Sequence, residues 1–151
     1  MARSIFKSLI GLPALILFCL PAVAHDRHAL NGAWHLIPTS SIYNGQPMMQ
    51  SGTLTIGYRD RNIYIARNYV YDGKTVTVSY HSSLDGRENS SIHQGAAFKT
   101  KAKWDGDELL VTTTQNGIRS AEVYRLNPDG TLTVTTESPD HPPVTLVFER
   151  G

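Results

Sequence analysis

The sequence is almost free of cysteine: its single one, Cys19, lies within the apolar N-terminal stretch of the 151-residue chain. The remainder of the chain, residues 25–151, therefore contains no thiol. A disulfide framework and a cysteine-ligated metal cluster are excluded there. A fold in this part of the chain must depend on its hydrophobic core and its backbone hydrogen bonds.

The sequence also lacks an excess of charge of either sign. It has 14 Lys and Arg against 13 Asp and Glu, and without Arg3 and Lys7 the remaining 12 basic residues nearly balance the acidic ones. No block of basic residues is present, although such blocks are what proteins use to hold phosphate backbones. Nucleic acid is therefore not an expected partner.

No signature of catalysis is present either. The chain has no Gly-x-Ser-x-Gly, no glycine-rich phosphate loop and no His-x-x-x-His pair, the motifs that announce hydrolases, nucleotide sites and helical zinc sites. A site assembled from residues distant in sequence remains open, because the members of a triad need not be adjacent. We expect no cofactor, and the sequence favours a protein that is not an enzyme.

The first 24 residues have the pattern of a secretory signal peptide. After a basic start, Leu9 to Val23 is an apolar run interrupted by two prolines, and Ala22-Val23-Ala24 is a small-x-small cleavage site. The run is shorter than the ~20 apolar residues of a comfortable membrane span. We expect a signal peptide at 1–24 and a domain at 25–151 that is periplasmic or secreted, with no membrane span after cleavage. An uncleaved anchor is the alternative.

Residues beyond the signal alternate between apolar and polar in short segments. Gly52 to Arg59 places Leu54, Ile56 and Tyr58 on one face, which predicts a half-buried strand. Asp-Gly and Asn-Gly turns separate about ten such segments at intervals of ~8–12 residues, and no segment has a helical period. The fold class we expect is all-β: a single antiparallel up-and-down meander of about 8–10 strands. Closure into a barrel would remove both exposed edges.

Two residues at opposite ends of this meander suggest a family. Gly32-Ala33-Trp34 places a Gly-x-Trp on the first strand, and Phe148-Glu149-Arg150 places an arginine at the end of the last. The pair resembles the calycin superfamily, which includes lipocalins and fatty-acid-binding proteins. The resemblance implies a lipocalin-like barrel with Trp34 and Arg150 as structural residues. In that family the tryptophan closes one end of the barrel, and the arginine stacks over it and binds backbone carbonyls near the start of the chain.

Barrels of this strand number are either packed or hold one small ligand. The faces that we assign to the interior carry Tyr58, Tyr80, Phe98 and Tyr124 among aliphatic side chains. Apolar walls with a few hydroxyls suit a small apolar or amphipathic molecule, so these four are candidate ligand-binding residues. The alternative is that they are ordinary core residues whose hydroxyls are satisfied.

Alternation places Glu122 on the same face as Tyr124 and places Arg125 on the opposite face. A buried carboxylate at that position would have a shifted pKa. The interpretation that we prefer is a solvated surface set of Arg119, Glu122 and Arg125.

The long irregular segment from Thr39 to Ser51, with Met48 and Met49, is either a flap or a solvent loop whose methionines fill a gap in the core.

Cleavage after Ala24 would make His25 the first residue, so that its amine and imidazole could together hold copper, with His28 as a further ligand. This resembles the N-terminal histidine of lytic polysaccharide monooxygenases and of some periplasmic copper binders. A flexible polar tail is the alternative, and we assign no metal ligand.

The function we expect is non-catalytic binding of a small molecule. The alternatives are a packed barrel that binds an envelope protein, and a periplasmic copper binder.

Overall fold

The computed structural model describes residues 26–93 and 95–151, so the predicted signal peptide and His25 lie outside the described residues. Within them the chain forms ten strands and two short 3-10 helices, Arg27–Leu30 and Pro38–Ser40. The strands are β1 (Gly32–Leu36), β2 (Ser51–Arg59), β3 (Asn62–Tyr71), β4 (Lys74–Ser83), β5 (Asn89–His93), β6 (Ala96–Asp105), β7 (Glu108–Gln115), β8 (Ile118–Leu126), β9 (Leu132–Ser138) and β10 (His141–Arg150).

All ten strands belong to one antiparallel sheet in the order β4-β3-β2-β1-β10-β9-β8-β7-β6-β5. Except at β4 and β5, each strand pairs with its neighbours in the chain, and the first strand pairs with the last in the register Trp34↔Arg150. The tight turns have the backbone that their sequences predict: Asn116 and Gly117 have φ values of 51° and 79°, as a two-residue hairpin requires. The predicted all-β meander, curled into a nearly closed barrel, is confirmed.

The barrel closes at a seam between β4 and β5. Among the described residues no backbone ladder joins these two strands, and side chains connect them instead. The Asn89 amide donates to Ser82 Oγ over 3.0 Å. A backbone bond from the Gly86 N–H, in the connection between the strands, to the Ala102 carbonyl over 3.2 Å fastens this connection to β6. The seam is therefore the part of the wall that backbone hydrogen bonds stabilise least.

One half of the barrel is filled by the hydrophobic core. Its largest fully buried side chains are Trp34, Tyr124, Phe148, Leu54, Ile56, Ile63, Ile65 and Leu109. They come from alternate positions of their strands, as the pleat requires, while Lys99, Lys101 and Lys103 face outward from β6. This core holds the barrel together and leaves the other half of its interior available.

Arg150 and the backbone before β1 cover the end of the barrel at Trp34. The Arg150 guanidinium lies 4.2 Å from the centroid of the Trp34 ring, and it donates to the Asn31 and Ala29 carbonyls over 2.5 and 2.6 Å. Gly32 has a φ of +126°, and a Cβ on it would come within 3.0 Å of Arg150 Nη1. Glycine at this position therefore allows the close approach of the arginine to the chain.

Candidate ligand-binding site

The interior away from Trp34 contains a cavity of about 420 Å³. The cause is visible along β7, where the inward positions run Leu109, Val111, Thr113 and Gln115. The first two are buried in the core, and the last two line the cavity. The rest of the wall consists of mostly small or polar side chains from β3 to β10, together with Val78, Tyr80, Phe98 and Ile118. The interior is thus filled at one end and open at the other.

A second, smaller chamber of about 220 Å³ lies beside the first. The segment between β1 and β2 contributes Tyr43 and Met49 to its wall, and β3 contributes Tyr69 and Tyr71. The two spaces share four lining residues: Arg67, Glu122, Thr136 and His141. We call the larger space the main cavity and the smaller one the side chamber.

An ion pair between β3 and β8 separates the two spaces. Both terminal nitrogens of Arg67 donate to the Glu122 carboxylate: Nη1 to Oε1, and Nη2 to Oε2 over 2.7 Å. Only 13% of the arginine side chain and 11% of the glutamate side chain are exposed. This is the bidentate fork geometry that a planar guanidinium makes with a carboxylate. The pair is buried and its charges are mutually compensated.

Two tyrosine hydroxyls complete the coordination of this carboxylate. The Tyr124 hydroxyl donates to Glu122 Oε2 over 2.8 Å, and the Tyr80 hydroxyl lies 3.1 Å from the same oxygen and 3.0 Å from the Tyr124 hydroxyl. Arg67 Nη2 donates to the Tyr80 hydroxyl over 3.2 Å. Four side chains thus form one network in which every member holds another in place.

Burial governs the ionisation of this network. It raises the pKa of both Tyr80 and Tyr124, so that both phenols stay protonated at neutral pH and can donate. Burial alone would lower the pKa of Arg67, but the Glu122 carboxylate and the surrounding tyrosines outweigh it and raise that pKa above its usual value. The guanidinium therefore carries its charge in the interior.

Three buried polar atoms around the side chamber make no hydrogen bond of full geometry among the described residues: Arg67 Nε, the Tyr69 hydroxyl and the Tyr43 hydroxyl. Arg67 and the Tyr69 hydroxyl still lie close enough for the arginine to act on the pKa of the phenol. Tyr69 is only 8% exposed, and burial raises its pKa to about 12. Buried polar groups in native proteins nearly always have a partner in the protein or in ordered water. Their common location marks the side chamber as a place where a ligand or water supplies the missing contacts.

The segment between β1 and β2 covers the side chamber and is fastened at both ends. The Ile42 N–H donates to the Thr145 carbonyl over 2.7 Å and the Gln50 N–H to the Val70 carbonyl over 2.9 Å. Met49 is buried with 5% exposure, whereas Met48 is 60% exposed. Only Met49 fills a gap in the core, and movement of the segment as a flap stays a prediction.

The structure brings together three of the four candidate ligand residues. Tyr80 and Phe98 line the main cavity, and Tyr124 lies behind Tyr80 with its hydroxyl in the network. Tyr58 lies apart from them, at the end near Trp34, with its ring 4.8 Å from His28 and 5.9 Å from Trp104. It does not line either of the two chambers.

The preferred interpretation of Glu122 as part of a solvated surface set is wrong, because its residue is only 9% exposed. Arg119 and Arg125 are exposed, and Arg125 donates to Glu108 on the neighbouring strand. Arg67 was not identified from the sequence. The signal was present: alternation from Ile63 and Ile65 places Arg67 on the inward face of β3.

The described residues contain no group of three or more His, Cys, Asp and Glu that could hold a metal ion. His25, on which the copper hypothesis depends, lies outside residues 26–93 and 95–151, and His28 lies against Tyr58. In this same part of the chain no helix has the length and the apolar character needed to cross a bilayer.

The ten-stranded, nearly closed barrel is a fold that this chain shares with several solved β-barrel proteins, fatty-acid-binding proteins among them. A secretory abundant heat soluble protein from Ramazzottius varieornatus superimposes with a TM-score of 0.64 at 14% identity, over 82% of this chain and 96% of that one. A fatty acid binding protein from Schistosoma mansoni, in complex with arachidonic acid, gives a TM-score of 0.58 at 14% identity, over 82% and 96%.

A third solved structure, the fatty acid transporter REP1-NXSQ, superimposes with a TM-score of 0.59 at 20% identity, over 81% of this chain and 96% of that one. No family model and no curated relative matches the sequence. At these identities the similarity is one of fold, and what the cavity binds has to be argued from its own residues.

Proposed function

We propose that the protein is a non-catalytic carrier that binds one small apolar or amphipathic molecule inside the barrel. The observation that carries the proposal is the unfilled interior: a cavity of about 420 Å³ falls within the range of ~300–1,000 Å³ typical of small-molecule sites. The fatty acid transporter and the arachidonic-acid-bound protein of the same fold support it. The open interior argues against the packed-barrel alternative. An envelope partner and copper binding by His25 stay predictions from the sequence.

We expect the folded chain to bind the neutral dye Nile red saturably at one site, and Ser120→Trp to reduce that binding by about tenfold or more. Ser120 lines the main cavity from β8, so an indole there would occupy the space of the ligand. Nile red fluorescence titration measures the effect. Circular dichroism checks that the variant is folded.

Arg119→Trp is the matched control. Arg119 precedes Ser120 on the same strand and is exposed, so its indole adds apolar surface outside the barrel and should leave the dissociation constant unchanged. Equal losses in the two variants, or dye binding that never saturates in the parent chain, would refute binding inside the barrel.

We further propose that the carrier acts after export, because residues 1–24 have the signal pattern. Protein purified from the envelope or medium of its own host should begin at His25. Native mass spectrometry should show an added mass that is lost on denaturation, which is the natural ligand. A chain that retains Met1 and fractionates with the cytoplasm would contradict export.

A further inference from the structure

We propose, building on the carrier function above, that the natural ligand is a neutral amphiphile and that the side chamber holds its polar end. The polar end is a group that accepts hydrogen bonds, such as an alcohol, ester or ketone oxygen. A free fatty-acid anion is the ligand that this interior disfavours. The argument depends on which charges are already paired and which donors are not.

Among residues 26–93 and 95–151, the side chains that line the two spaces offer a carboxylate no uncompensated lysine or arginine. The charged side chains around the two spaces are Arg67, Glu122 and Asp140, with His141 beside them. Arg67 has both terminal nitrogens on Glu122, so the pair has no net charge to offer. A ligand carboxylate would be buried next to the Glu122 carboxylate, in a cavity that Asp140 also lines. Burying an anion without a counter-charge, beside a like charge, is strongly unfavourable.

The same interior offers donors without acceptors. Arg67 Nε can only donate, and the hydroxyls of Tyr69 and Tyr43 can donate or accept. None of the three makes a hydrogen bond of full geometry among residues 26–93 and 95–151. Arg67 lies near enough to the Tyr69 hydroxyl to act on its pKa, but the hydrogen of that hydroxyl has no acceptor there. All three residues line the side chamber. A neutral oxygen placed there would accept from them without adding charge.

These donors are held in place before any ligand arrives. The Tyr69 ring lies over Gly52, where a Cβ would come within 2.8 Å of Tyr69 Cδ1, so the absence of a side chain on β2 fixes where the ring packs. Arg67 is held by Glu122, and its guanidinium lies 5.4 Å from the Tyr80 ring centroid. Because the donors are pre-organised, a ligand oxygen need not order them on binding. The main cavity next to them accommodates the rest of the molecule.

The test is a competition assay on the full mature chain at pH 8, with Nile red as the reporter. The competitors are decanoate, 1-decanol and methyl decanoate, which share a chain and differ at the polar end. We expect the alcohol and the ester to displace the dye at concentrations about tenfold lower than decanoate does. If decanoate displaces Nile red at an equal or lower concentration, the inference is overturned.

Tyr69→Phe tests the location of the polar end. It removes one hydroxyl and should weaken binding of the alcohol and the ester by about fivefold, while the weak binding of decanoate stays unchanged. Tyr64→Phe is the matched control, because Tyr64 lies on the outward face of β3 and is 45% exposed. Unchanged ester binding in Tyr69→Phe would overturn the assignment to the side chamber.

The outcomes separate the two proposals. A chain that binds neither Nile red nor any competitor overturns the carrier function and, with it, the choice of ligand. A chain that binds the dye and ranks decanoate first keeps the carrier function and loses only the inference about the polar end. The comparison among ligands uses the unmodified protein, so it decides the matter even if a variant fails to fold.

Discussion

Glu122→Leu should lower the free energy of unfolding by about 3–5 kcal/mol, because it leaves the Arg67 guanidinium buried without a counter-charge. The arginine side chain is only 13% exposed and cannot recover full hydration without disturbing the barrel. The substitution also removes the oxygen that accepts from Tyr124 and lies next to the Tyr80 hydroxyl. Since a domain of this size has a stability of about 5–15 kcal/mol, urea denaturation followed by circular dichroism will resolve the loss easily.

A double variant, Arg67→Met with Glu122→Leu, distinguishes the cost of an orphaned charge from the cost of lost packing. Replacing a whole buried pair by apolar side chains is often close to neutral, so the double variant should recover most of the stability that the single one loses. Glu108→Leu breaks the exposed pair with Arg125 and should cost less than about 1 kcal/mol. A double variant as unstable as Glu122→Leu would show that the pair is not what the single substitution disrupts.

The fold could be predicted from the sequence because its determinants are local. A few consecutive residues suffice to recognise the period-two alternation of β2 and the hairpin turn at Asn116-Gly117. Short turns then leave the meander as the simplest topology. The start of β10 shows the limit. The segment from Pro139 to Pro143 has the composition of a turn, but β10 begins at His141, with an irregular register up to Val144. Local pattern does not reveal such a bulge.

The site could be predicted only in part, because alternation reports the face of a residue and not its height in the barrel. Tyr58 and Tyr80 both point inward, yet one lies near Trp104 and the other at the main cavity. The pairing of Arg67 with Glu122 spans 55 residues and exists only once the barrel has curled β3 towards β8. A buried arginine is stable only beside a group of opposite charge. An arginine on an inward face therefore predicts an inward carboxylate, and this reasoning would have identified Glu122.

Raising the pH above 10 should unfold the protein cooperatively before pH 12. Burial raises the pKa of Tyr69 to about 12, and it raises the pKa of Tyr80 and Tyr124 above the usual value as well, whereas an unfolded tyrosine titrates near ~10. Below pH 10 these three tyrosines are protonated in both the folded and the unfolded chain, so the stability that they contribute is fully present. Above it the unfolded chain has released protons that the folded chain keeps, so the free energy of unfolding falls with pH. Each tyrosine lowers the free energy of unfolding by about 1.4 kcal/mol per pH unit, and the three together lower it by about 4 kcal/mol per pH unit.

The measurement is a pH titration from 8 to 12.5 that follows phenolate absorbance and far-ultraviolet circular dichroism together. We expect the buried phenols to ionise abruptly, at the pH where the sheet signal is lost, because ionisation requires the barrel to open. Tyr124→Phe should reduce the slope of the free energy of unfolding against pH by the amount that corresponds to about one proton. Tyr64→Phe, at an exposed position, should leave this slope unchanged. Ionisation of all seven tyrosines near pH 10 with the sheet intact would mean that Tyr69, Tyr80 and Tyr124 are in contact with water, and the enclosed site described above would have to be abandoned.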